Sequence, residues 1–289
     1  MWIQPVLWYC SFMVWYQIFT TAFLTFVAIE NWTYLCIIYL IYVVLFSFTL
    51  GCLFQAFYAP FPTLPPEYHL PANWLELAET EHKNEPEYAR MYYKARSFAR
   101  GLTNIRRETI RLNGKTMKFP SFCLKCNIIK PKDTRHCNRC KACLPRMDHH
   151  CPALGKCVHF GNHKHFLVFL IYSVLICTYT DVVAGYYTWA AFVYCRENMV
   201  SELLVPISAA ATGLIQTISF PIILAWFQYG LWESVLQGIL TVEACYEDEK
   251  AKKVPRSAWL GNVKKIFGEH YWVWPLPIQD LPEENAYLL

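Results

Sequence analysis

Seven of the thirteen cysteines lie between Cys123 and Cys157, and six of the nine histidines between His136 and His165. The run reads Cys123-x2-Cys126, nine residues, His136-Cys137-x2-Cys140-x2-Cys143, four residues, Asp148-His149-His150-Cys151, then five residues to Cys157. Thiolates two residues apart are the ligand pairs of tetrahedral zinc sites, because the short turn aims both sulfurs at one point, and there are ligands enough for two ions. A second chemistry overlaps the first. Asp148, His149 and Cys151 bring together an acid, an imidazole and a thiol, which are an orienting group, a base and a nucleophile. On that reading His149 takes the thiol proton, a cationic setting favours the thiolate, and Pro152 biases Cys151 toward an extended backbone that presents the sulfur. On the other reading Cys151 is one more metal ligand, and Asp148 and His149 are loop residues. A disulfide framework belongs to small secreted domains, so a Cys/His cluster in a chain this long points to the reducing, cytosolic side.

The chain around this cluster is membranous. Over 289 residues it is 55% hydrophobic and 17% charged, against roughly 25% charged in soluble domains, and its 19 Phe, 19 Tyr and 11 Trp exclude a disordered chain. Pro5 to Ile29 and Thr33 to Tyr58 are each long enough to span a bilayer, and with only Glu30, Asn31 and Trp32 between them they form a tight helical hairpin. A third stretch runs from Phe166 to about Tyr194, and a fourth from about Leu203 to Trp232 through Pro206 and Pro221. Nothing at the N-terminus resembles a removable signal, so the first span is expected to be retained. Of 26 Lys and Arg, 19 lie between residues 58 and 165 and six follow residue 243, leaving Arg196 alone in the opposite loops. The positive-inside rule therefore puts both termini and the central region in the cytosol. The expected units are residues 1–58 (spans 1 and 2), 59–114 (a cytosolic linker), 115–165 (the Cys-rich module), 166–232 (spans 3 and 4) and 233–289 (a cytosolic tail). In the linker, a Pro-rich stretch from Pro60 to Pro71 precedes a basic amphipathic pattern from about Glu85, with Met91, Ala95, Phe98, Leu102 and Ile105 at helical spacing. Such a helix lies on the anionic leaflet or packs on the protein's own cytosolic part. Asn113-Gly114 marks a turn before a short strand, Lys115 to Phe119. Asp181, on the third span, is read as structural.

The run from Cys123 to Phe166, with Lys130-Pro131, His136-Cys137, Met147 and Gly161-Asn162 in place and spans on both sides, resembles the DHHC protein S-acyltransferase (palmitoyltransferase) family. The resemblance implies an all-α polytopic membrane protein of four transmembrane helices, with a two-zinc module between helices 2 and 3. One structural Zn2+ would be held by Cys123, Cys126, His136 and Cys143, the other by Cys137, Cys140, His150 and Cys157, leaving Cys151 as the catalytic cysteine. Neighbouring side chains diverge, so His150 on zinc leaves His149 free to act with Asp148. The implied reaction moves a long-chain acyl group from palmitoyl-CoA to protein cysteines through an acyl-Cys151 intermediate. Arg146, Lys156 and Lys164 are candidate contacts to the CoA phosphates. Leu240-Thr241-Val242-Glu243 is similar to the family's TTxE motif with its first Thr replaced, and Thr241 would hydrogen-bond near Asp148. Asn262 to Gly268 resembles its C-terminal segment, with Asn262 in a structural role. The sequence departs from the family at Ala153-Leu154-Gly155-Lys156, where Trp-x-Asn-Asn is usual, which puts the rate in doubt and favours the alternative of a non-enzymatic adaptor or regulatory subunit. Expected partners are membrane-associated or lipidated substrate proteins, acyl-CoA and bilayer lipids, in an endomembrane (ER, Golgi or plasma membrane). Tethering on both sides of the module argues against nucleic acid.

Overall fold

The computed structural model describes residues 32–278 apart from residues 82, 84, 85, 113, 199–203 and 247–253. The first expected span, Pro5 to Ile29, lies outside the described residues. Three long helices follow: α1 (Trp32–Tyr58), α4 (His163–Asn198) and α5 (Leu204–Gln237). α1 and α4 are long and apolar enough to cross a membrane. α4 packs against both α1 and α5, around a core that includes Cys52, Leu53, Ala56, Leu167, Leu170, Leu231 and Val235. Buried Gln228 satisfies its amide by donating to the Leu170 carbonyl at 2.7 Å. Both later helices outrun the apolar stretches that signalled them, α4 starting three residues early at His163 and α5 ending five late at Gln237.

The expected all-α class fails between residues 107 and 158. Four two-stranded antiparallel hairpins lie there: β1 (Arg107–Leu112) with β2 (Lys115–Pro120), β3 (Phe122–Cys123) with β4 (Ile128–Ile129), β5 (Arg135–Cys137) with β6 (Ala142–Leu144), and β7 (His149–Cys151) with β8 (Lys156–Val158). An isolated two-stranded hairpin is marginal in water, so each must be pinned by neighbours. For β1–β2 the pin is α3 (Glu87–Phe98), through Ala89, Leu112 and Phe119. α2 (Trp74–Glu81) and α3 share a second cluster with Ile129 of the next hairpin. The basic helix therefore packs on the protein's own hairpins. It stops at Phe98, just before Gly101 takes φ +89°. Leu102 and Ile105 still join the same cluster, which is why their spacing reads as helical. The expected boundary between residues 114 and 115 cuts the β1–β2 hairpin in two.

After α5 the chain turns at Gly238, where φ is +69° and a Cβ would sit 2.8 Å from the Asn262 amide, so only glycine fits. α6 (Thr241–Tyr246) and α7 (Trp259–Phe267) follow. α7 adds Val263, Ile266 and Phe267 to the core between the long helices, and Asn262 Nδ2 donates to the Leu236 carbonyl at the end of α5 at 2.9 Å.

Candidate active site

The three cysteine-bearing hairpins are one unit repeated every fourteen residues. Cross-strand partners are Phe122 and Ile129 in the first, His136 and Cys143 in the second, His150 and Cys157 in the third. Each turn passes through a left-handed residue at the matching position, Asn127, Lys141 and Gly155. Cys123, Cys137 and Cys151 occupy one place in the repeat, and Cys126, Cys140 and Leu154 another. Side chains alternate across a strand while opposed partners share a face. The turn thiols of one hairpin thus meet the opposed His/Cys pair of the next. Cys123, Cys126, His136 and Cys143 form one cluster, and Cys137, Cys140, His150 and Cys157 a second, the ligand atoms of each lying within 4.8 Å of one another.

Both clusters could hold a metal ion, and their shape tests which. A tetrahedral zinc with ordinary Zn–S and Zn–N bonds requires sulfur–nitrogen separations of about 3.6 Å. His136 Nδ1 lies 3.5, 3.3 and 3.7 Å from the sulfurs of Cys123, Cys126 and Cys143. His150 Nδ1 lies 3.5, 3.4 and 3.6 Å from those of Cys137, Cys140 and Cys157. Four soft or borderline donors at this spacing fit zinc in a closed, structural geometry.

The third turn has no fourth hairpin to supply a His/Cys pair. Its first position is still a thiol, Cys151, but the second is Leu154, which is 3% exposed and packed into the core between the long helices beside Val158 and Phe166. On the strand, residues 149 and 151 share a face and residue 150 takes the other. His149 and Cys151 lie near enough on that face to shift each other's titration, and His149 Nδ1 donates to Asp148 Oδ2 at 2.7 Å. Asp148 is 1% exposed; its other oxygen accepts the backbone N–H of Thr241 at 2.8 Å, and its carbonyl accepts that of Val242 at 3.0 Å. The family-like segment around Thr241 thus reaches Asp148 through its backbone, while Glu243 pairs with Arg135 at 3.1 Å. Phe166, from the first turn of α4, sets its ring edge-on to His149 at 5.6 Å.

Burial opposes charge on all three groups, and the local hydrogen bonds overcome it. Asp148 is held well below the usual carboxylate range despite burial. The neighbouring His163 and the hydrogen bonds from His149 and the Thr241 N–H outweigh that burial. His149 is raised to about 9 against burial by Asp148 and Cys151. The Cys151 thiol is lowered against burial by His149 and by the backbone N–H groups of Leu154 and Ala153. N–H groups two and three residues on face Cys123 and Cys137 in the same way. The turn whose N–H groups face the sulfurs of Cys123 and Cys137 therefore faces the Cys151 sulfur in the same way, with His149 beside it.

This face opens into a cavity of about 550 Å³ bordered by Cys151, Leu53 of α1, Phe169 and Ser173 of α4, and Phe220 and Phe227 of α5. Its wall is apolar except at His149, Cys151 and Ser173. From Phe227 to Phe220 it follows α5 for about 10 Å away from the thiol.

The expected CoA cations are engaged elsewhere. Lys164 is fully buried, donating to the carbonyls of Val273 at 2.9 Å and of Ile278. Lys156 donates to the carbonyls of Phe57 and Ala59 at 2.9 and 2.7 Å, and Arg146 to that of Lys265 at 3.0 Å. All three tie the module to neighbouring elements, because a helix end or turn leaves carbonyls that a cation satisfies well. Lys156 works there with Asn162, which donates to Ala56 and Cys157 carbonyls at 2.9 and 3.1 Å. Together they seat the thiol hairpin on the end of α1. Sequence reasoning passed over this joint and the fourteen-residue repeat, although the repeat is readable as Cys-x2-Cys, Cys-x2-Cys, Cys-x2-Leu.

The fold and site define a membrane-embedded protein with a hairpin module that carries two Cys/His clusters able to hold metal ions and, among its described residues, one cysteine outside both. Residues 116–248, a little under half of the chain, match the DHHC palmitoyltransferase family model, and this segment carries both cysteine clusters together with Asp148, His149 and Cys151. It is 29% identical over 161 residues to palmitoyltransferase ZDHHC20-A of Danio rerio, covering 54% of this chain and 44% of that one. It is 25% identical over 168 residues to palmitoyltransferase ZDHHC15 of Rattus norvegicus, covering 57% and 48%. Palmitoyltransferase PFA3 of Gibberella zeae is 42% identical over 81 residues, or 28% of this chain and 14% of that protein. The chain thus spans about half the length, or less, of the curated relatives it matches.

Proposed function

We propose that the protein is a protein S-acyltransferase that moves a long-chain acyl group, palmitoyl in the first instance, from acyl-CoA to cysteines of membrane-associated or lipidated proteins. The observation that carries this reading is the Asp148–His149 hydrogen bond with His149 and Cys151 together in the wall of an apolar cavity between α1, α4 and α5. In the first half-reaction Cys151 Sγ attacks the thioester carbonyl, the carbon–sulfur bond to CoA breaks, and the departing thiolate takes a proton from the His149 imidazolium. In the second, His149 takes the proton of the incoming protein thiol, which attacks the acyl-Cys151 carbonyl and regenerates the Cys151 thiolate. One thioester replaces another, so no nucleotide is consumed. Asp148 fixes the His149 tautomer and stabilises its cationic form. Structural zinc at the two clusters would lock the hairpins that aim His149 and Cys151 into the cavity.

The reading includes four spans, cytosolic termini and a cytosolic module over about residues 115–165. Thr241, Glu243 and Asn262 support the site by their contacts to Asp148, Arg135 and α5. Because each CH₂ withdrawn from lipid costs about 0.8 kcal/mol, the acyl chain stays in the membrane and the receiving thiol must come to it. The test compares acyl transfer from alkyne-tagged palmitoyl-CoA to one cysteine peptide, with and without a lipid anchor, in liposomes containing the protein. Transfer to the anchored peptide with stoichiometric CoA release is expected. No transfer to either peptide would refute the reading.

A further inference from the structure

The β1–β2 hairpin puts three of its four cations, Arg107, Arg111 and Lys118, on one side. Positions 107, 109 and 111 of β1 are exposed and alternate with half-buried or buried Glu108, Ile110 and Leu112. On β2, Thr116 lies opposite Arg111 and Lys118 opposite Thr109, and both are exposed. The outward face is therefore Arg107, Thr109 and Arg111 beside Thr116 and Lys118, with Arg107 and Arg111 about 14 Å apart at strand rise. Among the described residues, none of the three cations makes a salt bridge or a side-chain hydrogen bond. Between residues 88 and 132 there are twelve Lys and Arg against one acid, Glu108. Topology alone accounts for cations on the cytosolic side of a membrane protein, but not for their placement at alternate positions on one hairpin face.

We propose that this face docks an acidic, extended segment of the protein substrate. The inference rests on the acyltransferase reading and names the feature its second substrate carries. A protein segment is favoured over lipid headgroups by position. The clusters that hold β1–β2 and α3 contain no residue of α1, α4 or α5. The hairpin joins the rest through the first cysteine hairpin, by Ser121 N–H to Arg106 O at 2.8 Å and Arg106 N–H to Lys130 O at 2.9 Å. The hairpin that packs on the spans is the third one, β7–β8. The potential of an anionic leaflet fades within a Debye length of about 8 Å, whereas a flexible substrate segment reaches the face while its cysteine waits at the bilayer.

The experiment uses the full chain in nanodiscs of phosphatidylcholine and a fluorescein-labelled Asp/Glu-rich peptide that lacks cysteine. Saturable, salt-sensitive binding is expected, weakened more than about tenfold by R107E/R111E/K118E and by a smaller factor in R107Q/R111Q/K118Q. Hydroxylamine-labile self-acylation of Cys151 should be equal in all three proteins, which also reports that the variants fold. With an anchored cysteine peptide as acceptor, the charge reversal should raise KM at unchanged kcat when an acidic segment is attached, and leave both unchanged when that segment is Lys-rich. Equal peptide binding by wild type and variant would overturn the proposal. So would an effect of the reversal confined to nanodiscs containing phosphatidylserine, which would assign the face to the membrane. Peptide binding that the variant loses, in a protein that never self-acylates, would keep the docking face and remove the acyltransferase reading.

Discussion

The second and third cysteine hairpins share a turn, a register and a left-handed residue at the matching position, yet they end in different chemistry. In the second, Cys137 and Cys140 converge with His150 and Cys157 on one point. In the third, Cys151 keeps the place of Cys137, while the place of Cys140 has gone to Leu154, which leaves the cluster for the core between the long helices. The change at the second turn position, with no following His/Cys pair among the described residues, separates a ligand pair from a single thiol faced by backbone N–H groups and His149. The scaffold that prepares a sulfur for zinc is, in our account, what prepares a sulfur for thioester exchange.

The largest expected effect comes from breaking the third hairpin's thiol. Cys151→Ser should abolish acyl transfer while the protein still carries two zincs by elemental analysis. Breaking the second hairpin should do the reverse: Cys140→Ser should lose one zinc and unfold the module, since structural zinc contributes on the order of 10 kcal/mol to such folds. A metal-replete, stable C140S would end the comparison.

His149 and His150 sharpen it further, because adjacent strand positions face opposite ways. His149→Ala should keep both zincs and acylate about 10²–10⁴-fold more slowly, whereas His150→Ala should lose a zinc and stability together. Leu154 gives the next effect down. Leu154→Ala should destabilise the protein by about 2–5 kcal/mol, as for other buried leucines, read as a lowered denaturation midpoint at constant zinc content. Leu154→Cys restores the ligand pair of the other hairpins, and should make acyl transfer sensitive to added zinc and recoverable with a chelator. The smallest effect belongs to Lys156. Lys156→Met removes two hydrogen bonds to the end of α1 and should cost about 1–3 kcal/mol without altering the zinc count.

What the sequence made legible follows the same division. Ligand spacing and the divergence of neighbouring side chains depend only on local turns and strand alternation, so the two clusters could be anticipated. The β1 strand could not. Its apolar positions, Ile110 and Leu112, continue a stretch in which Leu102 and Ile105 already mimic a helix, and only Gly101 breaks the period. The long-range roles of Lys156, Lys164 and Arg146 were also misjudged, because a cation beside a membrane looks the same in sequence whether it meets a phosphate or a backbone carbonyl a hundred residues away. The departure at Ala153 to Lys156 proves well seated. Gly155 takes the left-handed turn position, with φ +70°, and Lys156 closes the end of α1.

The central claim is that the sulfur of the third hairpin is the one that carries the acyl group. Intact-protein and peptide mass spectrometry after brief exposure of the zinc-replete, detergent-purified protein to palmitoyl-CoA tests it most directly. The account predicts a single hydroxylamine-labile palmitoyl adduct on the peptide containing Cys151. An adduct on any of the other cysteines with Cys151 unmodified, or none on a protein holding two zincs, would contradict it.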